Sequence, residues 1–429
     1  MPRTAAAPAP APGRSRLPSL TGLRTAAALM VFGFHIYAVA LFASPTANSW
    51  MSHSLSQGGV GVTFFFLLSG FLLTWTARAN DTVRGFWRRR AAKIVPNHLV
   101  TWVVALAFLG WTGLTLTGSF TPVGLDSLPN LLLLQDWIPR GGVFFSMNIP
   151  SWSLGCEAFF YLCFPLLLPL LRRIPVRGLW PAALALAAAV WAMPALAQLL
   201  FHQGPNVPGL PVSEDRMWFV YTFPPVRMLE FALGMVLALI VAAGRWPALR
   251  LRTATVLAVL GYLASSWLPY LYGLNAGALI PLALLIPTAA TADLENRASV
   301  WRGRVLCWLG NVSFAFYLVH QLVIRWVHYL FGATRSFATP EALGLTVLSL
   351  LLALGLATVL YYAVEMPLMR RLSHGRPRTV SPVPLGLIPA QRAGSAVPTV
   401  PSHREVQEET IPSHREVQGE DEEDHVRSH

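Results

Sequence analysis

The stretch GGVGVTFFFLLSGFLL (58–73), followed shortly by FWRRRAAKIVP (86–96), decides the class of fold. Thr63 and Ser69 are the only polar side chains in the first segment, and the arginines of the second mark the edge where charge meets solvent. A helix needs roughly 20 apolar residues to cross a hydrocarbon core of about 30 Å, because lipid offers unpaired backbone groups no partner. The segment at 59–77 meets that need, and nine others do so near 20–43, 94–117, 153–171, 179–201, 218–243, 251–271, 274–291, 305–330 and 342–364, the 274–291 segment being short. The sequence therefore predicts an all-α polytopic membrane protein of about ten transmembrane helices. A composition of 54% hydrophobic and 12% charged residues over 429 positions agrees.

A net charge of +12 would suggest nucleic acid in a soluble chain, but here the charges sort by loop. Arg3, Arg14 and Arg16 precede the first span, and Arg78, Arg84, Arg88, Arg89, Arg90 and Lys93 follow the second. Further arginines fill every second loop and the C-terminal tail. Of the 32 basic residues, only Arg140, Arg216 and Arg335 fall in the opposite loops, and Arg24, Arg227 and Arg325 within spans. Loops retained in the cytoplasm are enriched in Lys and Arg, so both termini are expected to be cytoplasmic and the chain to reside in a cell membrane, with no nucleic-acid partner.

The first apolar run reads as an uncleaved span rather than a signal peptide, because it is long. Residues 1–19 form a flexible leader, 20–367 the membrane domain, and 368–429 a Pro-, Arg- and Glu-rich tail expected to be disordered, with PSHREVQ at 401–407 and again at 412–418. Cys156, Cys163 and Cys307 are odd in number, without CxxC spacing, and suggest neither a disulfide scaffold nor a metal site.

Ionisable side chains inside spans are expensive and mark candidate sites. Arg24 and His35 share one helix eleven residues apart, which places them on nearly one face and about 16 Å apart along the axis. His35 is read either as a chemical group or as a neutral, hydrogen-bonded core residue. Arg90 and Lys93, at i,i+3, suit anionic lipid or the phosphates of a cofactor. Glu157 sits about one turn into the fourth span on the side opposite the basic loops, and Arg227 with Glu230 has the spacing of a salt bridge. His320 and Arg325 lie in the ninth span.

In order along the chain, LTGLR (20–24) with Arg24 and His35, GVTFFFLLSGFL (61–72), FWRRRAAKIVP (86–96) and WSLGCEAFFYLCFP (152–165) resemble the motifs of the acyltransferase-3 family of membrane O-acyltransferases. Weaker echoes are RMLEFALGM (227–235), LGNVSFAFYLVHQ (309–321) and VEMP (364–367). The resemblance covers about 20–367. Two positions depart from the pattern: Thr63 stands where the family usually has Asp, and Lys93 where a second Arg is usual, which keeps the charge but loses bidentate phosphate geometry.

The resemblance implies transfer of an acyl group from acyl-CoA to a hydroxyl of a carbohydrate or glycosylated small molecule, such as an antibiotic sugar or a cell-surface glycan. No permanently bound cofactor or metal is implied. An alcohol attacks a thioester poorly unless a base takes its proton, and a histidine with an ordinary pKa of about 6.5 suits that task. His35 is then the expected base. Arg24, Arg90 and Lys93 would hold the phosphates of the donor, and Glu157, approached from the other leaflet, would orient the acceptor or tune His35, or else form a buried structural pair. Ser69, Trp152, Ser153 and His320 are expected to support the site, with direct transfer favoured over an acyl-serine intermediate. A transporter or flippase of an acyl group or lipid-linked sugar is the rival reading, since ten spans with a few buried charges also suit a permeation path.

Overall fold

The computed structural model describes residues 16–78, 81–113, 127–202, 204–207 and 210–373. Among them the regular structure is helical, without strands. The principal helices are α1 (Pro18–Ala38), α2 (Pro45–Ser54), α3 (Val60–Thr76), α4 (Val83–Thr112), α5 (Trp152–Arg172), α6 (Leu179–Leu200), α7 (Pro224–Ala242), α8 (Leu251–Ser265), α9 (Leu279–Leu294), α10 (Arg304–Gly332) and α11 (Thr339–Leu360). All but α2 fall on the ten expected spans. Eight are long and apolar enough to cross a membrane, while α3 and α8 are shorter apolar helices. The expected short span instead reaches 23 residues, because a π turn at Tyr272–Ala276 extends α9. Most of the leader and nearly all of the tail, including both PSHREVQ copies, lie outside the described residues.

Local chemistry sets the helix ends. Pro18, Pro45 and Pro224 open α1, α2 and α7, where a missing N–H costs nothing. The Thr82 hydroxyl accepts from the Gly85 amide at 3.1 Å and starts α4 three turns before the apolar run begins. The arginines expected in a loop after the second span therefore form the first turns of a 30-residue helix, which ends at Gly113 with φ of 63°. At the start of α1 the Asp293 carboxylate accepts from the Ser19 amide at 2.8 Å and the Ser19 hydroxyl at 2.7 Å, docking α1 on the end of α9.

The centre is built from α1, α3, α7, α9 and α10. Small residues let α3 and α7 touch backbone to backbone: a Cβ on Gly70 would fall on the Phe231 carbonyl oxygen, and one on Gly234 on that of Leu67. Beside this contact, Arg227 is 1% exposed and forms its i,i+3 ion pair with Glu230 at 2.9 Å. Outside the centre, α6, α8 and α11 turn Leu184, Leu199, Leu260, Leu351 and Val359 outward, the surface expected of lipid contact rather than water.

Between α4 and α5, residues 127–151 run in short helical turns, yet Asn130, Gln135, Asp136, Asn148 and Ser151 are buried. Irregular backbone is tolerated here where it is buried in protein. The Asn130 amide donates to the Ser146 carbonyl and the Ser151 hydroxyl, each at 3.0 Å, and the Asn148 amide donates to the Leu318 carbonyl at 2.8 Å. Leu318 lies 14 residues into α10, about 21 Å along it, so the segment ends deep in the helical body and α5 starts there.

Candidate active site

His35 and His320 meet across the α1–α10 contact. His35 Nδ1 lies 2.9 Å from the Val31 carbonyl and His320 Nδ1 3.2 Å from the Phe316 carbonyl, each one turn back on its own helix. A carbonyl only accepts, so in the neutral rings each Nδ1 is assigned the proton. His320 Nε2 is then a bare acceptor 3.0 Å from His35 Nδ1, and the His35 proton is shared between Val31 and His320. This leaves His35 Nε2 with its lone pair and, among the described residues, no hydrogen bond. Both rings are buried, with centroids 4.9 Å apart.

His35 lines a cavity of about 890 Å³ that is walled by α2, the residues before α7 and the outer half of α10. This is the end of the molecule where the loops carry few basic residues. Toward the basic end lies a second, much smaller cavity of about 50 Å³, lined by Arg24, Lys93, Ser153 and Glu157. Val62 and Tyr317 line both cavities and form the wall between them. Tyr317 Oη is fixed 2.9 Å from Ser153 Oγ, which also sits 3.1 Å from the Pro150 carbonyl.

Arg24, Arg90 and Lys93 converge as the sequence suggests, and Glu157 joins them. The charge of Glu157 acts on Arg24 and Lys93, and its carboxylate accepts from the Tyr161 hydroxyl at 3.0 Å. The Arg90 guanidinium packs over Phe86 and Tyr161, and Lys93 Nζ lies 5.6 Å from the centroid of the Phe314 ring. A second carboxylate, Glu365, accepts from the Asn97 amide at 2.8 Å and acts on Arg24 and Lys93. Three cations face two carboxylates, a balance that favours an anion.

The expectation for Glu157 is thereby corrected. It lines the small cavity with the cations, whereas His35 lines the large one. The cause is the buried 127–151 segment, which starts α5 well inside the protein, so one turn into α5 is not one turn from the surface. Ser69 lies beside this group, its Oγ 3.5 Å from Tyr161 Oη, and Trp152 lines the large cavity with its ring 4.5 Å from that of Tyr221.

Thr63 explains its own departure from the family pattern. Its hydroxyl donates to Glu230 at 3.2 Å and accepts from Arg227 at 3.3 Å, and Arg227 also donates to Asn275. Glu230 supplies a carboxylate to the guanidinium without one at 63, although Arg227 Nε and Glu230 Oε2 remain buried without a partner among the described residues. Sequence reasoning missed Tyr317, Gln321, Tyr161 and Asn97. Two signals were available: Tyr317, Gln321 and Arg325 share one face of α10 at i,i+4,i+8, and Glu157 and Tyr161 are at i,i+4.

A family profile described as an acyltransferase domain matches residues 17–362, close to the extent of the motif resemblance. Acyltransferase MdmB of Streptomyces mycarofaciens is 42% identical over 374 residues, covering 86% of this chain and 96% of that protein. Exopolysaccharide production protein ExoZ of Rhizobium meliloti is 29% identical over 77% of this chain and 94% of its own length. Peptidoglycan O-acetyltransferase OatA of Listeria monocytogenes is 25% identical over 72% of this chain and half of its own length. No solved structure matches. A profile spanning nearly the whole membrane region, together with a relative this similar along nearly its full length, places the chain in the acyltransferase-3 family.

Proposed function

We propose that this protein is an O-acyltransferase of the bacterial cytoplasmic membrane that moves an acyl group from acyl-CoA to a hydroxyl of a carbohydrate or glycosylated small molecule. One observation carries the reading: His35, whose Nε2 makes no hydrogen bond among the described residues, lines the large cavity, while a cluster with excess positive charge lies behind a wall of two side chains. Arg24, Arg90 and Lys93 hold donor phosphates, as the charge balance around Glu157 and Glu365 favours. The excess of arginine on that end agrees with a cytoplasmic donor.

His35 Nε2 takes the proton of the acceptor hydroxyl as its oxygen bonds to the thioester carbonyl carbon. The tetrahedral intermediate collapses, the C–S bond breaks, and the thiolate leaves with the proton returned from the imidazolium. The carbonyls of Val31 and Phe316 keep both rings in the tautomer this requires. General-base assistance of this kind contributes about 10²- to 10⁴-fold.

The test is acyl transfer by purified protein in lipid nanodiscs, with His35→Ala expected to lose at least about 100-fold in kcat. Wild-type rates in that variant would remove His35 from the chemistry. The donor assignment is tested by replacing Arg90 and Lys93 together: CoA binding should fall, and its survival alongside weakened lipid association would make the cluster a membrane anchor. The relatives' names agree with a sugar or glycan acceptor, since one serves exopolysaccharide production and another O-acetylates peptidoglycan.

A further inference from the structure

The large cavity has two unlike walls. One is apolar and aromatic, with Phe145, Trp152, Leu210 and Met217. The other holds the polar side chains of Gln57, Tyr270, Gln321 and Arg325, and each also carries one atom closed off from the cavity without a hydrogen-bond partner among the described residues. Gln57 is 5% and Gln321 1% exposed, so neither amide is a solvated surface group. Leaving such an atom unsatisfied is destabilising, more so where charge is involved. Arg325 carries a full charge, yet the lining of its cavity contains no carboxylate.

We infer that these four side chains form an acceptor subsite for an amphipathic, multi-ring molecule with one hydroxylated edge. The subsite presupposes the acyl-transfer role proposed for the same cavity. The two side-chain amides, the guanidinium and the phenol together offer a ligand both donors and acceptors; a sugar edge, with donor and acceptor on every hydroxyl, matches both kinds. The opposite wall offers such an edge nothing and suits an apolar ring system. A volume of about 890 Å³ lies at the upper end of small-molecule pockets and admits several fused or linked rings. Gln321 and Arg325 follow His320 on α10, so a ligand edge held by them lies alongside His35.

Binding to the full-length protein in nanodiscs, measured by equilibrium dialysis without any donor, tests the subsite separately from the chemistry. Digitoxin and a neutral glycosylated macrolactone serve as amphipathic probes, and maltotriose as a fully hydroxylated one. At least one amphipathic probe should bind about 10-fold or more tightly than maltotriose. Gln57→Leu and Arg325→Met should each weaken it by about 10- to 100-fold, the loss of one hydrogen bond or one charge-assisted hydrogen bond. Gln321→Leu should weaken binding likewise while keeping or raising Tm, because it removes an unsatisfied polar atom; a damaged fold would lower both. The KM for acyl-CoA should not move in any variant. Failure of both amphipathic probes to bind, equal affinity for maltotriose, or unchanged binding in the variants would overturn the subsite. Binding as expected without acyl transfer would leave the subsite standing and overturn the proposed reaction.

Discussion

The contact between His35 and His320 permits a quantitative expectation for a residue that touches no substrate. When His35 takes a proton it becomes an imidazolium, and its Nδ1–H, 3.0 Å from His320 Nε2 and 2.9 Å from the Val31 carbonyl, becomes a charged donor. A hydrogen bond to a charged group is worth about 1.5–3 kcal/mol against about 1 for a neutral one. Most of that gain therefore appears only as the proton moves. His320→Phe keeps a ring of similar shape, removes the acceptor and leaves Val31 as the sole partner. The expected loss is about 2- to 30-fold in kcat. The acceptor KM should barely change, because His35 keeps its orientation through Val31. His320→Gln, whose amide oxygen can accept, should recover most of the rate. The assay is release of free CoA thiol by nanodisc-embedded protein under saturating donor, with acceptor varied. A His320→Phe rate within twofold of wild type would refute the reasoning, as would a Gln variant no better than Phe.

Arg90→Ala should raise the donor KM by about 10-fold with the acceptor KM unchanged, read in the same assay. Arg227→Met strands the Glu230 carboxylate in the core and should cost about 3–5 kcal/mol in thermal unfolding, whereas replacing both partners by apolar residues should restore much of the loss. Gly70→Val drives a side chain into the Phe231 carbonyl, and the protein should fail to purify as a monodisperse species. Outside the spans, burial pushes the Asp136 carboxyl well above the ordinary range. Folding takes up a proton there, so stability falls as pH rises from about 4, where unfolded Asp ionises, until the folded group itself ionises. Asp136→Asn removes that dependence, and its Tm should exceed that of wild type by a margin that grows between pH 5 and pH 8; a constant or shrinking margin contradicts the assignment.

The helices were legible because lipid exposure leaves long apolar runs, and the basic residues were legible because they gather at one end. Helical spacing set Arg90 beside Lys93, while their grouping with Arg24 came only from the resemblance to the family. Glu157 was misread because its depth depends on the 127–151 segment, whose sequence resembles an external loop. Its polar residues bond inward, to Ser146, Ser151 and Leu318, and only the fold reveals those partners. The His35–His320 pair was hidden for a related reason: 285 residues separate them, and each alone reads as a satisfied core histidine. Thr63 looked like a lost functional group until its place between Arg227 and Glu230 was visible.

Val62 and Tyr317 line both the large cavity and the small one that holds the cations. In a bilayer that thin septum is also electrical insulation. In a membrane that holds an ion gradient, a breach there would open a conduit. The reacting groups must come close enough to exchange an acyl chain while water on the two sides never joins, so the bulk of these two side chains answers to the membrane's integrity as well as to the reaction.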